Sequence, residues 1–162
     1  MFKVLFLCHG NICRSPMAEF VMRYKVMEAG LADRVHVESA ALHTDDIGCD
    51  IHPGAACMLD AKGIPHEHRV SHLSKRSDYD VFDLIVGMDH RNLADMQRLY
   101  GGDPDGKLSL LLDWTGEDRD ISDPWYSGDF ESTFRDIDAG CSALLEAAEE
   151  RLGGYGTSSG IT

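Results

Sequence analysis

Lys3-Val4-Leu5-Phe6-Leu7-Cys8-His9-Gly10-Asn11-Ile12-Cys13-Arg14-Ser15-Pro16-Met17-Ala18-Glu19 joins an apolar run to a glycine-containing turn and then to a helix-start signal. Lys3 to Cys8 is β-rich and almost continuously apolar, the pattern of a strand buried on both faces of a parallel sheet. Ser15 reads as an N-cap and Pro16 as the first helical residue, with Glu19 one place past a strict capping box. Ala18, Val21, Met22 and Met27 form a roughly helical apolar stripe that runs to a stop at Gly30.

The same alternation continues. Val35 to Ser39 reads as a second strand, residues 41–52 as an irregular loop, and Pro53 to Lys62 as a second helix closed by Gly63. Phe82 to Met88 reads as a third strand, and Asp89 caps a helix to about Leu99. Leu108 to Leu112 reads as a short fourth strand. An acidic loop over 113–129 leads into a last helix from about Phe130 to Leu152. Residues 1–152 are expected to form one domain, and the Gly- and Ser-rich residues 153–162 a flexible tail. Alternating strands and helices predict an α/β fold, a parallel sheet with helices on both faces. In such sheets the site lies beyond the carboxyl ends of the strands, so the residues after Cys8 should line it.

Composition narrows the function classes. The 162 residues are 43% hydrophobic, 27% charged and 8% aromatic, an ordinary globular mixture. Fifteen Lys and Arg against 28 Asp and Glu give a net charge of −13. That balance argues against nucleic-acid binding, which needs a basic footprint, and against anionic membranes. Five irregularly spaced cysteines do not read as a secreted disulfide framework. No stretch approaches the roughly 20 apolar residues of a membrane span. The expectation is a soluble protein of the reducing cytoplasm.

Cys8 and Arg14 are separated by five residues between a buried strand and a helix start. Such a curled loop turns successive backbone N–H groups inward, and the helix end adds positive potential. Gly10 and Asn11 tolerate the left-handed backbone this needs. Arg14 can fork onto two oxygens of a bound phosphate. The same field favours the thiolate form of Cys8, the nucleophilic form. Ser15 can donate its hydroxyl to that sulfur. Taken singly, Cys8 or Cys13 would read as a buried structural thiol. A Walker-type loop is excluded because no Gly-Lys-Ser/Thr follows. A zinc site on Cys8 and Cys13 would need two further ligands.

At these residues the sequence resembles the low molecular weight protein tyrosine phosphatases, which carry Cys-x-Gly-Asn-Ile-Cys-Arg-Ser-Pro near the amino end. Asp123-Pro124-Trp125-Tyr126 stands in the place of that family's Asp-Pro-aromatic loop. The resemblance covers residues 2 to 152. It implies a three-layer sandwich around a four-stranded parallel sheet in the order 2-1-3-4. It also implies hydrolysis of protein phosphotyrosine through a phosphocysteine. Cys8 would be the nucleophile, Arg14 the phosphate clamp and Asp123 the general acid and base. His9, Gly10, Asn11, Ile12, Cys13 and Ser15 would complete the phosphate-binding loop. Asn11, Ser15, Ser39 and His68 match positions of the hydrogen-bond network that holds the loop, and Asp89 a position that buttresses it. Cys13 would form a reversible disulfide with Cys8 on oxidation.

The resemblance implies no metal and no cofactor. A tyrosine-phosphorylated protein would be the partner, phosphate the product, and the protein a monomer or weak dimer. Ile12, Asp45, Trp125 and Tyr126 would wall the substrate pocket; for the two aromatics the competing reading is core packing. Ile12 favours an aryl substrate, since family members acting on phosphoarginine carry a small polar residue there. Three positions depart from the family pattern: His9 where an apolar residue is common, Asp45 where many members have an aromatic, and Ser71 where an Arg often follows the His. His66, His68 and His72 cluster in sequence and are a weak candidate for a metal site.

Two other classes use the same loop. An arsenate reductase needs a cysteine relay, and no cysteine lies between Cys57 and Cys141. A phosphoprotein-binding module needs neither Cys8 nor Asp123.

Overall fold

Four parallel strands form the sheet in the computed structural model, which describes the backbone of residues 1–161 and the side chains of 1–153. The strands are β1 (Phe2–Cys8), β2 (Val35–Ala41), β3 (Leu84–Gly87) and β4 (Leu108–Leu110), in the order β2-β1-β3-β4. β1 lies centrally, pairing with β2 from Phe2↔Val35 to Cys8↔Ala41 and with β3 from Val4↔Leu84 to Phe6↔Val86. That is the strand order the resemblance implies.

The period of two along β1 divides the core. Val4, Phe6 and Cys8 face a cluster with Met17, Val21 and Met22 of α1 (Arg14–Glu28), Leu59 of α2 (Pro53–Ala61) and Ile137, Cys141 and Leu144 of a long helix near the carboxyl end. Leu5 and Leu7 face the opposite layer. There they meet Tyr79 of α3 (Asp78–Val81) and Met96 and Tyr100 of α4 (His90–Tyr100). Burial of β1 on both faces explains its unbroken apolar run. The last two helices are α5 (Pro124–Ser127) and α6 (Phe130–Ile161). The tail expected over 153–162 falls, beyond Gly153, outside the described side chains.

Several boundaries differ from the sequence reading. α1 begins at Arg14, with Cys13 in the N-cap position and no side-chain capping bond, so Ser15 is not the cap. Val26, not Met27, completes the buried stripe; Met27 is exposed. β4 stops at Leu110, because Leu111–Thr115 coil into a 3-10 turn in which Asp113 accepts from the Leu110 amide at 2.8 Å. α3 carried no periodic signal. Asp89 does cap α4, in a reciprocal box with Asn92.

Candidate active site

Beyond the carboxyl end of β1 the chain curls through residues 9–13 into α1, at the floor of a cleft of about 730 Å³. Asn11 makes the turn possible: it is fully buried, and its φ of 59° is the only left-handed backbone on a non-glycine residue among those described. Cys8 and Arg14 both line the cleft and are nearly buried. Ser15 brings its hydroxyl to 3.0 Å and its amide to 3.4 Å from Cys8 Sγ. Ser15 does not cap the helix: its hydroxyl sits beside the sulfur and its oxygen accepts from Asn11 Nδ2.

Arg14 is 3% exposed. Its Nη1 donates to Asp89 Oδ2 and to the Ile121 carbonyl, both at 2.8 Å, and Nη2 lies 3.6 Å from Asp123 Oδ2. Burial alone would lower its pKa, but the sulfur of Cys8, Asp89 and Asp123 together raise it, so the charge is held firmly. Cys13 is held uncharged. Burial, reinforced by Cys8 and Asp123, pushes its thiol up to about 12.

Asp123 reaches the cleft from the N-cap of α5, where its Oδ1 accepts from the Trp125 amide at 3.0 Å. Pro124 supplies the first helical residue and restricts Asp123 to its extended conformation. The loop before it is pinned at several points. The Ile121 amide donates to the Met88 carbonyl at 3.0 Å, and the Thr133 hydroxyl to the Ser122 carbonyl at 2.9 Å. His90 Nδ1 pairs with Asp120 at 2.6 Å, which raises the His90 pKa against the opposing effect of burial.

Trp125 and Tyr126 are 60% and 84% exposed, which removes the core-packing reading for both. They line the cleft together with Ile12 and Asp45. Trp125 is held edge-on to His52. His9 stacks on His43 at 4.2 Å between ring centres and pairs with Asp45.

Behind the loop the arrangement differs from expectation at one position. Asn11 Nδ2 donates to Ser15 Oγ at 2.7 Å and to Ser39 Oγ at 2.9 Å, as the resemblance implies. His68 is outside this network. It is 78% exposed and its Nδ1 pairs with Asp50 at 2.8 Å. Arg69 enters instead, donating from Nη1 to the Asn11 carbonyl at 2.9 Å and from Nη2 to Asn11 Oδ1. Two further residues were missed. Buried Glu19 accepts from the Ser39 hydroxyl at 2.5 Å. Ser71, a departure from the family pattern, donates from its hydroxyl to the Gly10 carbonyl at 2.7 Å and so still supports the loop. His66 pairs with Asp60, and among the described residues no three His, Cys, Asp or Glu side chains are placed to share a metal.

Comparison with known proteins shows the family. The sequence profile described as "Low molecular weight phosphotyrosine protein phosphatase" matches residues 3–153. The chain belongs to this family. The low molecular weight protein-tyrosine-phosphatase YfkJ of Bacillus subtilis is 34% identical over 152 residues, covering 93% of this chain and 97% of its own. The crystal structure of YfkJ superposes with a TM-score of 0.90 at 33% identity, covering 93% and 96%. A low molecular weight protein tyrosine phosphatase of Streptococcus pyogenes gives 0.82 at 36% identity, covering 91% and 93%. A Drosophila arginine phosphatase gives 0.83 at 28%, covering 91% and 98%. Among the described residues no helix is long and apolar enough to cross a membrane.

Proposed function

We propose that this phosphatase-family protein hydrolyses phosphotyrosine in protein substrates through a phosphocysteine. The observation that carries this is the convergence of Cys8, Arg14 and Asp123 on one cleft, with Ser15 aimed at the sulfur and Asp89 behind the guanidinium. Cys8 thiolate attacks phosphorus in line. Arg14 and the loop amides hold the equatorial oxygens as the S–P bond forms and the P–O bond breaks. Asp123 gives its proton to the departing tyrosyl oxygen. The Asp123 carboxylate then takes a proton from water, whose oxygen attacks phosphorus and expels the Cys8 sulfur. Inorganic phosphate leaves, and Ser15 donates to the sulfur as it regains its charge. A free nucleophilic thiol requires a reducing compartment, and the cytoplasm meets that requirement.

Trp125, Tyr126 and Ile12 line the same cleft and offer apolar area for a phenyl ring. A phosphoarginine substrate is the second reading, favoured by the likeness to the Drosophila arginine phosphatase; the apolar Ile12 weighs against it. Hydrolysis of p-nitrophenyl phosphate, a phosphotyrosine peptide and a phosphoarginine peptide separates the two. Cys8→Ser should abolish turnover of the first two. Asp123→Ala should lower kcat by about 10²–10⁴ while still binding substrate. Near-normal turnover by the Asp123 variant would remove that residue from its role, and a preference for phosphoarginine would overturn the substrate.

A further inference from the structure

We propose that Arg69 is a positioning residue that fixes the direction of the hydrogen-bond relay ending on Cys8, in the place the sequence pattern gives to His68. The inference rests on Cys8 being the nucleophile. An arginine side chain has donors only. With Arg69 donating to both the carbonyl and Oδ1 of Asn11, the carboxamide oxygen must face Arg69. The Asn11 amino group then faces the other way, and its two hydrogens go to Ser15 Oγ and Ser39 Oγ. Ser39 must pass its own hydrogen onward, and it does so to Glu19 Oε1 at 2.5 Å, while Glu19 Oε2 is held by Arg23 at 2.5 Å.

Ser15 already accepts from Asn11, so its own hydrogen is left for the sulfur 3.0 Å away. Every donor on the branch from Arg69 through Asn11 and Ser15 therefore points toward Cys8, which favours the thiolate over the thiol. Turning the amide over would reverse this: Oδ1 would accept from Ser15, and the sulfur would lose its hydroxyl donor. A histidine in the same place can donate or accept and changes charge near neutrality. A guanidinium only donates and keeps its charge, so the relay keeps one polarity across the working pH range. The fork also grips both ends of the residue that carries the left-handed turn.

The test compares wild type, Arg69→Ala, Arg69→Lys and His68→Ala. Iodoacetamide labelling of the Cys8 peptide is followed by mass spectrometry across pH, because the exposed Cys49 and Cys57 would be labelled as well. Steady-state turnover of p-nitrophenyl phosphate is measured in parallel. For Arg69→Ala, the pH of half-maximal labelling should rise by about one unit, the effect of one charge-assisted bond. Its kcat should fall about tenfold, with KM changed less. Arg69→Lys, which keeps the charge but not the fork, should fall between. His68→Ala should match wild type. Superimposable labelling profiles for Arg69→Ala and wild type would overturn the proposal, as would a shift in His68→Ala equal to that in Arg69→Ala. Should circular dichroism show Arg69→Ala unfolded, Arg69→Lys decides: profiles and kcat identical to wild type would overturn it. Labelling reads the sulfur without turnover, so wild type inert toward aryl phosphate but with the Arg69-dependent shift would sink only the hydrolytic reading.

Discussion

Asp89 has two partners that a pair of substitutions can separate. One oxygen accepts from the Asn92 amide at 2.8 Å and caps α4; the other accepts from Arg14 Nη1 at 2.8 Å. Asparagine caps a helix as well as aspartate. Asp89→Asn therefore keeps the cap through its remaining oxygen, but turns an NH2 donor toward Arg14 and so removes both the charge and the acceptor there. The Asp89 side chain is 17% exposed, so little of that interaction is screened. A hydrogen bond to a charged group is worth about 1.5–3 kcal/mol. With Asp123 only 3.6 Å from Arg14 to compensate in part, a loss near 1.5 kcal/mol is expected. Asp89→Ala loses the cap as well, about 1 kcal/mol more. Urea unfolding with linear extrapolation should rank wild type, Asn and Ala in that order. Arg14, released on one side, should hold phosphate less well, and kcat/KM on p-nitrophenyl phosphate should drop about tenfold in both variants, equal to about 1.4 kcal/mol. Wild-type kcat/KM in a folded Asp89→Asn protein would refute the idea that Asp89 positions Arg14. Equal stabilities for the two variants would refute the capping contribution.

The pKa of about 12 at Cys13 keeps it a thiol, so peroxide should oxidise Cys8 first. The Cys8 sulfenic acid then condenses with the Cys13 thiol, releasing water and forming a disulfide. Cys13→Ser should lose the recovery of activity on thiol addition, and full recovery would count against this. His90, raised by its bond to Asp120, gives a pH signature to the anchoring of the acid loop. A group raised on folding contributes stability that is complete below its unfolded value, about 6.5. That stability is lost as pH rises through the folded value. The melting temperature of His90→Ala should therefore lie furthest below wild type near pH 6 and approach it at pH 8.5; a gap widening with pH would contradict the latch. Finally, the net charge of −13 should slow encounter with phosphopeptides that carry acidic flanks. Raising salt should increase kcat/KM for such peptides and change it little for neutral ones, and faster turnover of acidic peptides at low salt would argue the reverse.

The layers and the loop were legible because their signals are local and physical. The Lys3–Cys8 run has one explanation, burial on both faces, and the clusters on either side of β1 supply it. Cys8 and Arg14 sit at fixed offsets around a turn, so their meeting needs no long-range information. Asp89 and Gly63 carried conventional capping and stop chemistry and kept it. Where the reading failed, a tertiary partner outbid a local preference. Ser15-Pro16 has the form of a helix start, yet the hydroxyl is needed by the sulfur, and the helix begins one residue earlier without a side-chain cap. His68 and Arg69 are neighbours on an irregular loop with no period, so sequence does not say which of them points inward. Partly burying an arginine there succeeds because Asn11 offers two oxygens in fork geometry, with Glu19 nearby.

A phosphate site on so acidic a chain is less paradoxical than the net charge suggests. Surface charges more than about 8–10 Å apart are largely screened at physiological salt, so most of the 28 carboxylates act on encounter and not on the bound group. Two near the cleft floor are committed to other partners. Asp89 is turned onto Arg14 and the α4 cap, and Asp123 caps α5 beside the same guanidinium. Arg14 therefore meets an incoming phosphate already oriented by two carboxylates and a carbonyl. The carboxylates that depress the net charge thus include the ones that aim the buried Arg14 guanidinium, and removing them to favour phosphate binding would disorder the group that binds it.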